Sequence, residues 1–329
     1  MEKLARKIRA SVAAVAFCAA AAMPAAAYAD PMRIAFGDIA TVESLHLLAA
    51  LERAREKGLE LEVTYLKSED IAAQAVVSGQ ADIGIGAPYA LLQKVKAPIR
   101  IFMQLSKLQF YPVVNSEFYK DWKDLDGQEV AVHSRGSGTE AIMQLMADKN
   151  GISYSSIAYV PGAEVRTGAL LQGNVKATIV DSSGKRVLED QAPGKFLFLS
   201  LGDVSATDEA LFANTDYLES HSKEVETLVE SILTTWREVA ADPKSAIALR
   251  EKYKLLPDAT PEMVADIEPY FVEAAPNIPV NGGGEDAARD DFDFYTTSGA
   301  LTGEADDLKV EDFWDLRALN AVLAKLGAK

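Results

Sequence analysis

Ala75-Val76-Val77-Ser78-Gly79-Gln80-Ala81-Asp82-Ile83-Gly84-Ile85 is answered in the second half of the chain by Ala169-Leu170-Leu171-Gln172-Gly173-Asn174-Val175-Lys176-Ala177-Thr178-Ile179. Both stretches read as a helix end, a glycine able to take the left-handed cap, a short connection, and an apolar strand of the kind buried inside a parallel sheet. Two similar α/β lobes follow from that match.

The same grammar extends on either side. Residues 32–36 form a short apolar strand, Gly37-Asp38 turns it, and Leu45, Leu48 and Leu51 then keep a helical period that closes at Gly58. Residues 59–65 alternate as a strand. Ser68 stands before Glu69 and Asp70 as the N-cap of a helix expected to bury Ile71, Ala75 and Val76. The strand at 81–85 opens into Gly86-Ala87-Pro88-Tyr89, and another follows at 99–104. In the second half a strand at 129–133 runs into Ser134-Arg135-Gly136-Ser137-Gly138-Thr139 and a helix carrying Ile142, Leu145 and Met146.

Residues 109–115 and 211–214 read as two strands crossing between the lobes. Beyond Ser220 the chain turns helical, with Val225, Leu228, Val229, Ile232 and Trp236 on one face. Asn281-Gly282-Gly283-Gly284 reads as a surface loop, and a last helix is expected to carry Phe313, Leu316, Leu319, Val322 and Leu326. The expected division is residues 1–29 as a signal peptide, 30–110 as the first part of lobe 1, 111–210 as lobe 2, and 211–329 as the second part of lobe 1 with the C-terminal helices.

The leader is read from charge and side-chain size. Lys3, Arg6, Lys7 and Arg9 precede an apolar run from 10 to 23, and Ala27-Tyr28-Ala29 supplies a small-x-small cleavage site. The run is mostly alanine and is broken by Pro24, which argues against a membrane anchor. Its removal takes away four basic residues and Glu2, so a chain already at −16 becomes more acidic. Nucleic acid is excluded as a partner on that charge. The single cysteine, Cys18, lies within the leader, so an exported chain has no disulfide. The bulky Phe17 before it does not suit lipidation. With 329 residues, 49% of them apolar, there is material for two cores without such staples.

Enzyme signatures are missing. His46, His133 and His221 are scattered without ligand spacing, no P-loop is present, and Gly84-Ile85-Gly86 lacks the third glycine of a dinucleotide turn, reading instead as a close-packed strand end. No metal, cofactor or catalytic residue is expected. What rises above background is a set of glycine-containing polar turns at the ends of parallel strands, where an open α/β sheet binds its ligands. Gly37 and Asp38 with Gly86, Ala87, Pro88 and Tyr89 would form one wall. Ser134, Arg135, Gly136, Ser137, Gly138 and Thr139, with Gly162, Asp181 and Ser182, would form the other. The turn at 134–139 combines two glycines, hydroxyls, a cation and a helix start, which are the parts of an anion site; an ordinary capped helix with a surface arginine has the same sequence. Tyr89 and Tyr111 are candidates for stacking on a ligand.

These features together resemble the type II periplasmic binding proteins, and within them the branch serving ABC importers for nitrate, alkanesulfonates, taurine and thiamine pyrimidine precursors. The resemblance rests on the leader, the block 76–85, the stretch Trp122-Lys123-Asp124-Leu125-Asp126-Gly127-Gln128-Glu129-Val130-Ala131-Val132 and the glycine- and serine-rich turn. It implies a monomeric periplasmic receptor that closes on a small molecule and delivers it to an inner-membrane permease. A small organic anion, a sulfonate or carboxylate, is the ligand expected, with Arg135 or Arg166 as its partner. A neutral heteroaromatic vitamin precursor is the alternative, and a lyase-like enzyme on the same fold is an alternative of another class. Asp181-Ser182-Ser183 departs from the apolar turn common at that place, and suggests an added hydroxyl or cation contact.

Overall fold

The computed structural model describes residues 30–202 and 204–327; the leader expected at 1–29 lies outside the described residues. In chain order the first part comprises β1 (Met32–Phe36), α1 (Leu45–Glu56), β2 (Leu61–Tyr65), α2 (Glu69–Val77), β3 (Ile83–Gly86), α3 (Tyr89–Val95) and β4 (Ile99–Gln104). Then come β5 (Tyr111–Asn115), β6 (Glu129–Val132), α4 (Gly138–Asn150), β7 (Ser156–Tyr159), α5 (Ala163–Leu171), β8 (Ala177–Val180), α6 (Ser182–Gln191) and β9 (Phe196–Phe198). The chain ends with β10 (Ala210–Asn214), α7 (Thr215–Ser220), α8 (Ser222–Ala241), α9 (Ser245–Tyr253), α10 (Pro261–Ala274), α11 (Gly284–Thr297), α12 (Val310–Phe313) and α13 (Arg317–Leu326).

The first sheet has the order β2-β1-β3-β10-β4, with β1 parallel to β2 and β3, and β10 antiparallel to β3 and β4. Helices cover both faces, so β1 and β3 are apolar and buried on both sides. The second lobe repeats the arrangement. β5 pairs antiparallel with β8 and β9, β6 pairs parallel with β7, and the Thr178 hydroxyl donates to the Ala131 carbonyl at 2.7 Å, which sets β8 beside β6. Read across, β7-β6-β8-β5-β9 matches the first sheet strand for strand. Gly79 and Gly173, with φ of 74° and 76°, close α2 and α5 in the left-handed region, where a Cβ would be strained.

Several local expectations are corrected. The apolar stretches expected to cross between lobes are instead built into the sheets, β5 in the second and β10 in the first; the bridge between Lys107 and Thr207 lies upstream of both. Ser68 begins α2 without a side-chain cap, because its hydroxyl turns to Asp70. Ile71 is 49% exposed, and Ala72 and Ala73 take the buried face with Ala75 and Val76. The 281–284 loop is packed: a Cβ on Gly282 would meet Leu319 at 2.6 Å, and the Gly282 carbonyl accepts from Gln104 N–H. The last helix is two, since the chain extends through Trp314 before turning again at Arg317.

A buried network anchors the segment that bridges to Lys107. Asp291 on α11, wholly buried, accepts from the Thr207 N–H at 2.5 Å and hydroxyl at 2.7 Å, and also from the Tyr89 hydroxyl. Trp314 Nε1 donates to Tyr89 Oη at 2.8 Å, and Tyr295 stacks on the Tyr89 ring at 4.7 Å.

Gly84 carries the closest packing in the first sheet: a Cβ there would sit 2.1 Å from Phe212 Cζ on β10, whose ring is wholly buried. Gly84→Ala is expected to destabilise the chain by about 1–3 kcal/mol in urea unfolding, as overpacking does. A change within a few tenths would show that Phe212 yields freely.

Candidate functional site

The loops at the carboxyl ends of the strands meet where the lobes face each other. After β6, His133 Nε2 reaches the Gly37 carbonyl of the β1 loop at 3.2 Å, while its Nδ1 accepts the Gly162 N–H of the β7 loop at 3.2 Å. These two contacts place the ring proton on Nε2. Burial holds the imidazole below its usual range, with Asp38, 3.9 Å from Nδ1, acting the other way. Ser134 reaches the Glu69 N–H at 3.4 Å, and Ile39 packs on Gly162.

Two adjoining cavities lie along this join. One, of about 30 Å3, is lined by Asp38, Thr41, His133, Thr139, Arg166 and Asp208 among others; the second, of about 40 Å3, is lined by Ser106, Asp181, Ser182, Trp236 and Tyr270 among others. Glu43, Ser44 and Glu209 border both. Arg166 is buried, and its Nε and Nη1 donate to the carbonyls of Ile179 at 2.8 Å and Val160 at 2.9 Å. No carboxylate pairs with it among the described residues.

Of the candidates read from sequence, Asp38, Ser137, Thr139, Arg166, Asp181 and Ser182 line the cavities. The rest are placed elsewhere. Gly37 and Gly162 contribute backbone to the His133 contacts. Ala87 N–H donates to Glu69 Oε2 at 2.7 Å, and Gly86 is pressed against the Glu69 side chain. Tyr89 lies in the core with its hydroxyl engaged, so it offers no stacking platform. Tyr111 donates to Glu273 Oε1 at 2.7 Å, lies under Lys185 and lines neither cavity.

The turn at 134–139 is largely self-satisfied. Ser137 Oγ donates to the Ser134 carbonyl at 2.7 Å and caps α4 at Glu140 N–H, and Thr139 Oγ1 accepts from His133 N–H at 3.0 Å. Gly136 N–H goes to Glu140, and Gly138 packs on Leu108. Arg135 is exposed over the Tyr159 ring; with Gly136, Ala87 and Pro88 it borders an outer depression. The residues missed from sequence are Glu43, Glu69, Asp208, Glu209, His133 and Tyr270. The carboxylates were hidden in a chain rich in them, and Tyr270 comes from a distant helix.

Those carboxylates dominate the electrostatics. Burial, then Asp181, Asp208, Glu209 and Asp38, pushes Glu43 well above the usual range; burial and then Asp208 do the same to Glu209. Asp208 is pushed up to about 7 by burial and Asp38, with Arg166 opposing. Asp181 is raised by burial although it accepts the Gly184 N–H at 2.7 Å, and burial lowers Arg166.

The NMT1/THI5 like family matches the chain over residues 49–246, more than half of its length. The chain belongs to the NMT1/THI5 like family. No curated protein matches it. Among solved structures it is similar to a protein of Bordetella bronchiseptica RB50, at TM-score 0.72 and 18% identity over 91% of this chain and 98% of that one. It is also similar to the periplasmic nitrate-binding protein NrtA of Synechocystis PCC 6803, at TM-score 0.68 and 13% identity over 91% and 89%. The alkanesulfonate-binding protein SsuA of Xanthomonas axonopodis pv. citri aligns at TM-score 0.60 and 17% identity over 83% and 94%. At these identities the likeness establishes the periplasmic binding protein fold.

Asp208 provides a test of the site's charge. Its folded carboxyl holds a proton that the unfolded chain has released above about pH 4, so its contribution to stability is full below that pH and is lost as pH rises through about 7. His133, held low, has the opposite sign, so the informative quantity is the difference between variants. The stability of Asp208→Asn relative to the parent should grow between pH 5 and pH 8, by on the order of 1–3 kcal/mol in chemical denaturation. A difference independent of pH would contradict it.

Proposed function

We propose that this chain is the extracytoplasmic substrate-binding protein of an ABC importer, working in the periplasm after loss of residues 1–29. It captures a small organic solute between lobe 1, residues 30–110 and 211–329, and lobe 2, residues 111–210, and hands it to an inner-membrane permease. The observation that carries this is the pair of cavities walled by strand-end loops of both lobes and joined by His133. Family membership and the likeness to nitrate- and sulfonate-binding components support it. No reaction is proposed at the site.

The ligand charge expected from sequence has lost its first support, since Arg135 faces outward. Arg166 remains as a buried cation beside the smaller cavity, surrounded by acids.

Closure has a clasp outside the cavities. Arg186 on α6 grips Asp266 of α10 through Nε at 2.8 Å and Nη2 at 3.0 Å, and Glu273 through Nη1 at 2.6 Å. Such a forked pair favours one relative placement of the lobes. Arg186→Ala is expected to weaken solute binding by up to about tenfold, a modest effect because the group is partly exposed, while both lobes stay folded. The receptor reading itself is tested by small-angle scattering of residues 30–329 across a solute panel. A solute that raises the melting midpoint should also shrink the radius of gyration; midpoint shifts without compaction would contradict closure.

A further inference from the structure

We propose that the larger cavity receives a primary ammonium group, so that the solute is an organic amine rather than the anion expected from sequence. This rests on the receptor reading and names the chemical class of its ligand. Glu43, Asp181 and Glu209 line the cavity from three separate segments, the β1 loop, the start of α6 and the start of β10. Asp38 and Asp208 stand behind them in the adjoining cavity. Against these, the larger cavity has Lys107, which is exposed, and the smaller has Arg166, whose Nε and Nη1 already serve backbone carbonyls.

A second, independent feature points to an occupant. Tyr270 is 9% exposed and borders the cavity, yet its hydroxyl has no hydrogen-bond partner among the described residues. The oxygen is not enclosed but opens at the cavity wall, and a phenol oxygen left unpartnered there suits a donor arriving with a ligand. The wall beside it is aromatic: Trp236 is wholly buried, its Nε1 donates to the Leu105 carbonyl, and the His46 ring stacks on it at 4.0 Å. His46 is held neutral, its burial lowering it to about 3, so it adds no competing charge. Carboxylates opposite aromatic faces are the environment in which ammonium groups are bound. Among the described residues no three His, Cys, Asp or Glu side chains are placed to hold a metal ion. A cavity of about 40 Å3 accommodates a group the size of an ammonium head.

The test is thermal shift and calorimetry of residues 30–329 with methylammonium, ethanolamine and putrescine chlorides against sodium ethanesulfonate and propionate at equal ionic strength. The amines should raise the midpoint saturably and the anions should not. Glu43→Gln with Glu209→Gln should lose about tenfold or more in amine affinity, while melting no lower than the parent without amine, since two half-buried carboxylates crowded by other acids have been removed. Tyr270→Phe, which keeps the ring, should weaken the amines several-fold and checks the site should the double variant fail to fold. Shifts by the anions alone would overturn the amine reading and leave the receptor reading standing. No shift by any probe would also overturn it, and compaction on another solute would then decide the receptor reading separately.

Discussion

Five buried or half-buried carboxylates set against one another are the constraint around which the join between the strand-end loops is organised. Glu43, Glu69, Asp181, Asp208 and Glu209 come from both lobes, and each is pushed toward its neutral form first by burial and then, in most of them, by its acidic neighbours. Bringing such groups out of water raises their mutual repulsion. For the receptor proposed above, closure therefore requires protons, a cation from outside, or attractive contacts elsewhere. The Arg186 clasp and the His133 bridge supply the last of these at two places along the join.

The frame that brings the acids together is rigid where it must be. Thr207 faces Lys107 in the bridge and is held by Asp291, which is in turn fixed by Tyr89 and Trp314. Asp208 and Glu209 follow directly, so the buried network that orients Thr207 also aims two of the cleft carboxylates. The Glu209 backbone adds to this by accepting from Leu105 N–H and donating to Ser106 Oγ.

The sequence was most informative where local patterning and tertiary burial agree. The match between 75–85 and 169–179 exposed the repeated lobe because each copy pairs a glycine cap with a strand buried on both sides. Asp38, Asp181 and Ser182 were legible as cavity-lining residues because they stand just beyond strand ends. Tyr89 was misread since an aromatic after a glycine turn has the same local signature whether it faces a cleft or a core. The turn at 134–139 looked like an anion site for a related reason: its hydroxyls and N–H groups bond to one another, and that partnering is settled in three dimensions. Glu43, Glu209 and Tyr270 acquire their role from distant segments meeting, which no local spacing records.

The central claim is that charge in the cleft governs closure, and the interlobe distance tests it most directly. Cys18 is the chain's sole cysteine, so residues 30–329 can be labelled cleanly at two introduced cysteines. Spin labels at Lys94 on α3 and Lys149 on α4, both exposed and one on each lobe, report the separation by pulsed electron resonance. Without added solute, the account predicts a larger closed population at pH 5.5 than at pH 8, because Asp208, pushed up to about 7, loses its proton between them and its repulsion of the neighbouring acids grows. Distance distributions that coincide at the two pH values would contradict it.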